Sequence, residues 1–100
     1  MNITLDELQK VENIINDYVP SSQGSTTMKK ISKMIFKLSF QCDDVYISEK
    51  LNSIKNWAEI LTHPRKYKQY GAVRLKNFIN MDISSIRKHY DYKTASNADN

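Results

Sequence analysis

Apolar residues recur every third or fourth position in segment after segment of this 100-residue chain, and that spacing is the strongest constraint on its fold. Met28, Ile31, Ile35, Leu38 and Cys42 form one such row, with Met34 beside it. Ile47, Leu51, Ile54, Ala58 and Leu61 form another, with Trp57 at its edge. A period near 3.6 puts each row along one side of a helix, whereas a half-buried strand needs strict alternation. Only 2 Gly and 2 Pro are present, too few for the many tight turns of a sandwich or barrel. The expectation is a small all-α bundle of four to five short helices in one domain spanning residues 1–93, followed by a flexible tail over 94–100 that has no apolar anchor.

Local signals place the helix ends. Thr4-Leu5-Asp6-Glu7 matches a capping box, with Ile3 and Leu8 at the positions of a hydrophobic staple. Leu8, Val11, Ile15 and Val19 are the expected core stripe of the first helix, which Pro20 ends. A second helix is expected to begin near Ser25 to Thr27, capped by one of those hydroxyls. Asp43 and Asp44 suit the start of a third, and His63-Pro64 its close. Trp57 is expected as a core anchor and Cys42 as a buried thiol. Gly71 allows a bend before Ala72, Leu75, Phe78 and Ile79. Asp82 is the expected cap of a last helix carrying Ile83, Ile86 and Tyr90 on one side.

Charge is uneven. From His63 to Lys93 there are eight basic residues against Asp82 and Asp91, a net +6, which leaves −2 for the rest of a chain whose total is +4. An anionic partner is expected at the carboxyl-terminal third. On the second helix, Lys29, Lys30, Lys33 and Lys37 collect on the side away from the core row, with Phe36 and Phe40 close to them.

Catalytic and metal chemistry find no pattern. His63 and His89 are the only histidines, neither paired by motif with a nucleophile, and Cys42 is the only cysteine. Asp43-Asp44 are adjacent and serve better as a cap than as paired acids. No zinc-ligand spacing and no glycine-rich phosphate loop occurs, so neither metal nor cofactor is expected and the chain is read as a non-enzyme. The early acids of MNITLDELQKV and the lack of long apolar runs predict neither a signal peptide nor a membrane span. A single cysteine favours a reducing compartment, and the expected location is cytoplasmic.

The stretch VRLKNFINMDISSIRKHY, Val73 to Tyr90, resembles a helix-turn-helix over about a fifth of the chain. Leu75 and Ile79 stand at the first helix's inward positions, Asn80 at the turn, Met81 as the turn's apolar plug and Ile86 at the centre of the recognition helix. Lys76 departs from the pattern where a small residue usually sits, and His89 where an apolar one is expected. The resemblance implies DNA binding, duplex or single-stranded, by a small accessory or regulatory protein of the kind carried by phages or mobile elements. Ser84, Ser85, Arg87 and Lys88 would then face base edges and phosphates, with Arg65, Lys66, Lys68 and Arg74 on the backbone. Tyr67 and Tyr70 would bond phosphates or stack on unpaired bases. The rival expectation is a small helical inhibitor, immunity or adaptor protein whose partner is an acidic protein surface. Lys29, Lys33, Phe36, Lys37 and Phe40 would carry that contact. The acids of the first helix leave room for a homodimer.

Overall fold

The computed structural model describes residues 5–20 and 23–98, with side chains over 6–20 and 23–91. Its elements are α1 (Leu5–Asp17), α2 (Gly24–Gln41), α3 (Val45–Thr62), the single turn α4 (Tyr67–Tyr70) and α5 (Ala72–Ala98), with no strand among the described residues. The all-α bundle read from the apolar spacing is the fold observed.

Each long helix turns its apolar row inward. Leu8, Val11 and Ile15 of α1, Ile31, Ile35 and Leu38 of α2, Ile47, Leu51, Ile54, Ala58 and Leu61 of α3, and Leu75, Ile79, Ile83 and Ile86 of α5 close one core. Burying a Leu or Ile side chain contributes roughly 1.5–3 kcal/mol, and these residues dominate what holds the chain together. Helices neighbour one another in the ring α1–α2–α3–α5–α1. Contacts between ends show that neighbours run antiparallel. Glu7, early in α1, meets Lys37, late in α2. Gly24 opens α2 against Thr62, which closes α3. Asp44 at the head of α3 meets His89 near the far end of α5. Arg87 reaches back to Glu12, while Lys76 and Asn80 meet Asn16 at the other end of α1. The result is an up-down-up-down four-helix bundle with short connections.

The principal correction lies in the last third. The expected break at Asn80-Met81-Asp82 is absent, because α5 is one helix of 27 residues. Leu75, Ile79, Ile83, Ile86 and Tyr90 step by 4, 4, 3 and 4, so one stripe runs through the expected turn without changing phase. No Gly or Pro lies between Ala72 and Ala98 to interrupt it. Among the described residues no non-glycine has positive φ, so Asn80 does not take the left-handed turn conformation. Met81 is 66% exposed rather than a plug. Asp82 is no cap; it accepts from Ser53 Oγ at 2.6 Å and ties α5 to α3. Lys76 does not wedge helices apart, since its Nζ reaches a terminal carbonyl of α1, Asn16 O, at 3.1 Å. The helix also runs past residue 93 to Ala98.

Smaller differences follow from helix ends. The capping box at Thr4 and the staple residue Ile3 lie outside the described residues. Helix α1 stops at Asp17, so Val19 falls beyond its periodicity and is 72% exposed, and Tyr18 is buried instead. Gln23 precedes α2 without a side-chain capping bond, and neither Ser25 nor Thr27 caps it. Asp44 caps α3 as expected, its Oδ1 accepting from Ile47 N at 3.2 Å. Cys42 is half-buried, its thiol against the Asp44 backbone. Trp57 is half-buried too, packed between Phe78 and Tyr70. Gly71, at φ 84°, reverses the chain from α4 into α5. No helix among the described residues is long and apolar enough to cross a membrane.

Candidate partner-binding site

The residues expected on DNA fall in two groups separated along the axis of α5. Arg65, Lys66 and Lys68 are exposed on the α3–α5 connection, and Arg74 is exposed at the start of α5. Ser84 and Lys88 are exposed and Ser85 half-buried near the opposite end of that helix. The 14 residue steps from Arg74 to Lys88 span about 21 Å of helix axis. Arg87 is not free: its guanidinium grips Glu12 with bonds of 2.9 and 3.2 Å and Gln9 with one of 2.7 Å. A forked pair of this kind fixes the side chain toward α1. The expected set is therefore spread along the helix, and Arg87 joins α5 to α1.

The lysine side of α2 holds together better. Phe36 and Phe40 are one helical turn apart, so their rings meet, with centroids 5.3 Å apart and planes tilted by 52°. They are 66% and 77% exposed. Aromatic rings gain most when buried, and these two, tilted together in solvent, form an apolar projection outside the core cluster. Lys29, Lys33 and Lys37 are exposed around them. Lys37 leans away toward α1, with Nζ 3.8 Å from Glu7 Oε1, whereas Lys29 and Lys33 line the outer seam between α2 and α3.

That seam is hollow. One cleft of about 410 Å³ is lined by Lys33, Ile35 and Phe36 of α2 and by Ser48, Asn52 and Lys55 of α3. A second, of about 480 Å³, joins it at Ser32 and runs between Met28 and Lys29 on one side and Glu59, Ile60 and His63 on the other, with Lys66 at its end. The turn after α3 sets Lys66 there. His63 Nδ1 accepts from the amides of Arg65 and Lys66, both at 3.1 Å, so the chain folds back over the helix end. Lys29, Lys33, Lys55 and Lys66 have no ion-pair partner among the described residues. Four free cations thus border an apolar floor, and two of them come from outside the set expected on α2. Lys55 and its neighbours Ser48, Asn52 and Glu59 were visible in the sequence as a polar stripe at spacings of 4, 3 and 4 on the third helix, about 100° round from its core row. What the sequence lacked was the pairing of that stripe with the α2 lysines.

His89 and Asp44 form a separate contact at 3.0 Å, with the imidazole tilted over Tyr46 at 4.5 Å between centroids. The described residues contain no group of three or more His, Cys, Asp or Glu arranged to hold a metal ion. No protein-family model matches the chain, and no curated protein or solved structure does either.

Proposed function

We propose that this chain is a small non-catalytic helical module that binds an acidic partner protein through the outer face of α2. The observation that carries this reading is the paired, solvent-facing Phe36 and Phe40 rings with free lysines beside them. Interfaces draw most of their affinity from a few aromatic anchors that become fully desolvated, while charge at the rim steers the encounter and selects the partner. Both elements occur here on one rigid helix, whose inner side is locked in the core. The rival DNA reading is weakened by the loss of its two supports, the bent reading element and a free Arg87.

The test is affinity capture from a lysate of the producing cell, identification of the retained protein, and titration of the purified pair. Removing an interface anchor costs about 2 kcal/mol or more, so Phe36→Ala with Phe40→Ala is expected to weaken binding at least ~30-fold without lowering the unfolding midpoint. Unchanged affinity in that double variant, or retention of DNA alone across a salt series, rejects the proposal.

A further inference from the structure

We infer that the α2–α3 seam is a groove for one amphipathic helix of the partner, with the incoming carboxylates laid along both edges. This rests on the protein-binding reading above and goes further in naming the shape and charge of what binds.

Length comes first. The α2 wall runs from Ser25 to Ser39, 14 residue steps or about 21 Å, close to four helical turns. Its shape suits a helix. Ser25, Ser32 and Ser39 repeat every seven residues, as do Met28 and Ile35, so small and apolar positions stay aligned toward a neighbour crossing at the shallow angle of a coiled-coil pair. The Phe36–Phe40 pair closes one end as an anchor, and Met28, Ile35 and Ile60 supply the apolar floor. Charge then selects the occupant. Lys29 and Lys33 stand on one edge and Lys55 and Lys66 across from them, against the lone acid Glu59.

The alternatives fit less well. An extended segment would find no backbone donors or acceptors to pair with, because both walls are helices whose main-chain groups bond internally, whereas a helix brings its own bonds. A second copy of this chain would have to offer α1 as its acidic helix, and there Glu7 and Glu12 are already engaged with Lys10, Lys37 and Arg87. A single-stranded nucleic acid needs rings spaced along its track for base stacking, yet the rings lining the two clefts are Phe36 and the His63 imidazole, one in each cleft.

The probe is a synthetic helix of about 20 residues, long enough to hold its structure, with Leu on one heptad seam and Glu on both flanks. Its binding to the full chain is followed by backbone amide shifts and titration. Shifts confined to Ser25–Phe40 and Ser48–Lys66 are expected, with affinity falling at least ~tenfold in Lys33→Glu with Lys55→Glu and rising in Glu59→Gln. A Gln-flanked version of the probe should bind at least ~tenfold more weakly than the Glu-flanked one. Absence of seam shifts at millimolar probe overturns the inference, as does tighter binding of single-stranded oligothymidine to the same residues. The captured natural partner separates the two levels. If its binding is lost on Phe36→Ala with Phe40→Ala yet survives charge reversal at Lys29, Lys33 and Lys55, the groove fails and the broader reading stands. If neither set matters, both fail.

Discussion

A Cβ placed on Gly24 would collide with the carbonyl oxygen of Thr62 and come within 2.9 Å of Tyr18 Oη. The obstacle is backbone at the end of α3, which cannot step aside as a flexible side chain would. Gly→Ala within a helix usually gains up to ~1 kcal/mol, but overpacking a tight contact costs about 1–3 kcal/mol. Gly24→Ala is therefore expected to lower the urea midpoint, by about 1–2 kcal/mol of stability; an unchanged or raised midpoint would mean that the two helix ends have room to part. Arg87 poses the opposite case, a polar residue that stabilises rather than crowds. Its forked grip on Glu12 joins the last helix to the first. A double-mutant cycle with Glu12→Ala and Arg87→Ala should give a coupling of about 0.5–1.5 kcal/mol that shrinks with added salt. A coupling near zero would return Arg87 to the pool of free cations.

At the scale of elements, α5 shows how a correct stripe was read as two pieces. Asn80 and Asp82 are residues that favour turns and caps, and that local preference suggested a break between Ile79 and Ile83. Tertiary packing overrides it. Ile79 and Ile83 are four apart and both wholly buried, so the helix must pass through the intervening residues in phase. The polar ones find work across the bundle, Asn80 with Asn16 and Asp82 with Ser53. The apolar periodicity was legible throughout; the long-range partners of the Asn80 amide nitrogen and the Asp82 carboxylate were not, and Asn80 Oδ1 stays buried without one among the described residues. The same limit applies at α1, where Val19 fits the period on paper but lies past a helix end that Pro20 enforces. Met81 tests the continuity directly, since its side chain is exposed and contributes little packing. In a helix interior Met81→Gly should be less stable than Met81→Ala by about 1 kcal/mol, and Met81→Pro by about 3 kcal/mol or more. At a turn, glycine would match or exceed alanine, so equal thermal midpoints for the two would restore the bent element.

For the whole molecule the question is whether net charge or its arrangement governs binding. The sequence showed a surplus of cations in the carboxyl-terminal third and a lysine row on the second helix, as two separate features. Folding redistributes them. Arg87 and Lys76 turn inward to α1, Lys88 lies far along α5 from Arg65 and Lys68, and Lys66 joins the α2 lysines at the seam. Linear charge counts miss this because antiparallel packing brings the end of α3 beside the start of α2, 30 to 40 residues away in the chain. Two variants with equal charge loss separate the cases. Neutralising Lys29, Lys33, Lys55 and Lys66 to Gln takes the formal charge from +4 to 0, and so does neutralising Arg65, Lys68, Arg74 and Lys88. Screening at physiological salt, where the Debye length is about 8 Å, leaves little attraction to exposed charges that do not touch the partner, so at that ionic strength only the seam set should abolish partner binding. At low salt, where screening relaxes, the second set should slow association by about two- to fivefold and leave dissociation unchanged, because distant charges steer the encounter without touching the bound partner. Stopped-flow association rates and surface-bound dissociation rates across a salt series measure both. Equal losses in the two variants at physiological salt would show that overall charge, not the groove, holds the partner.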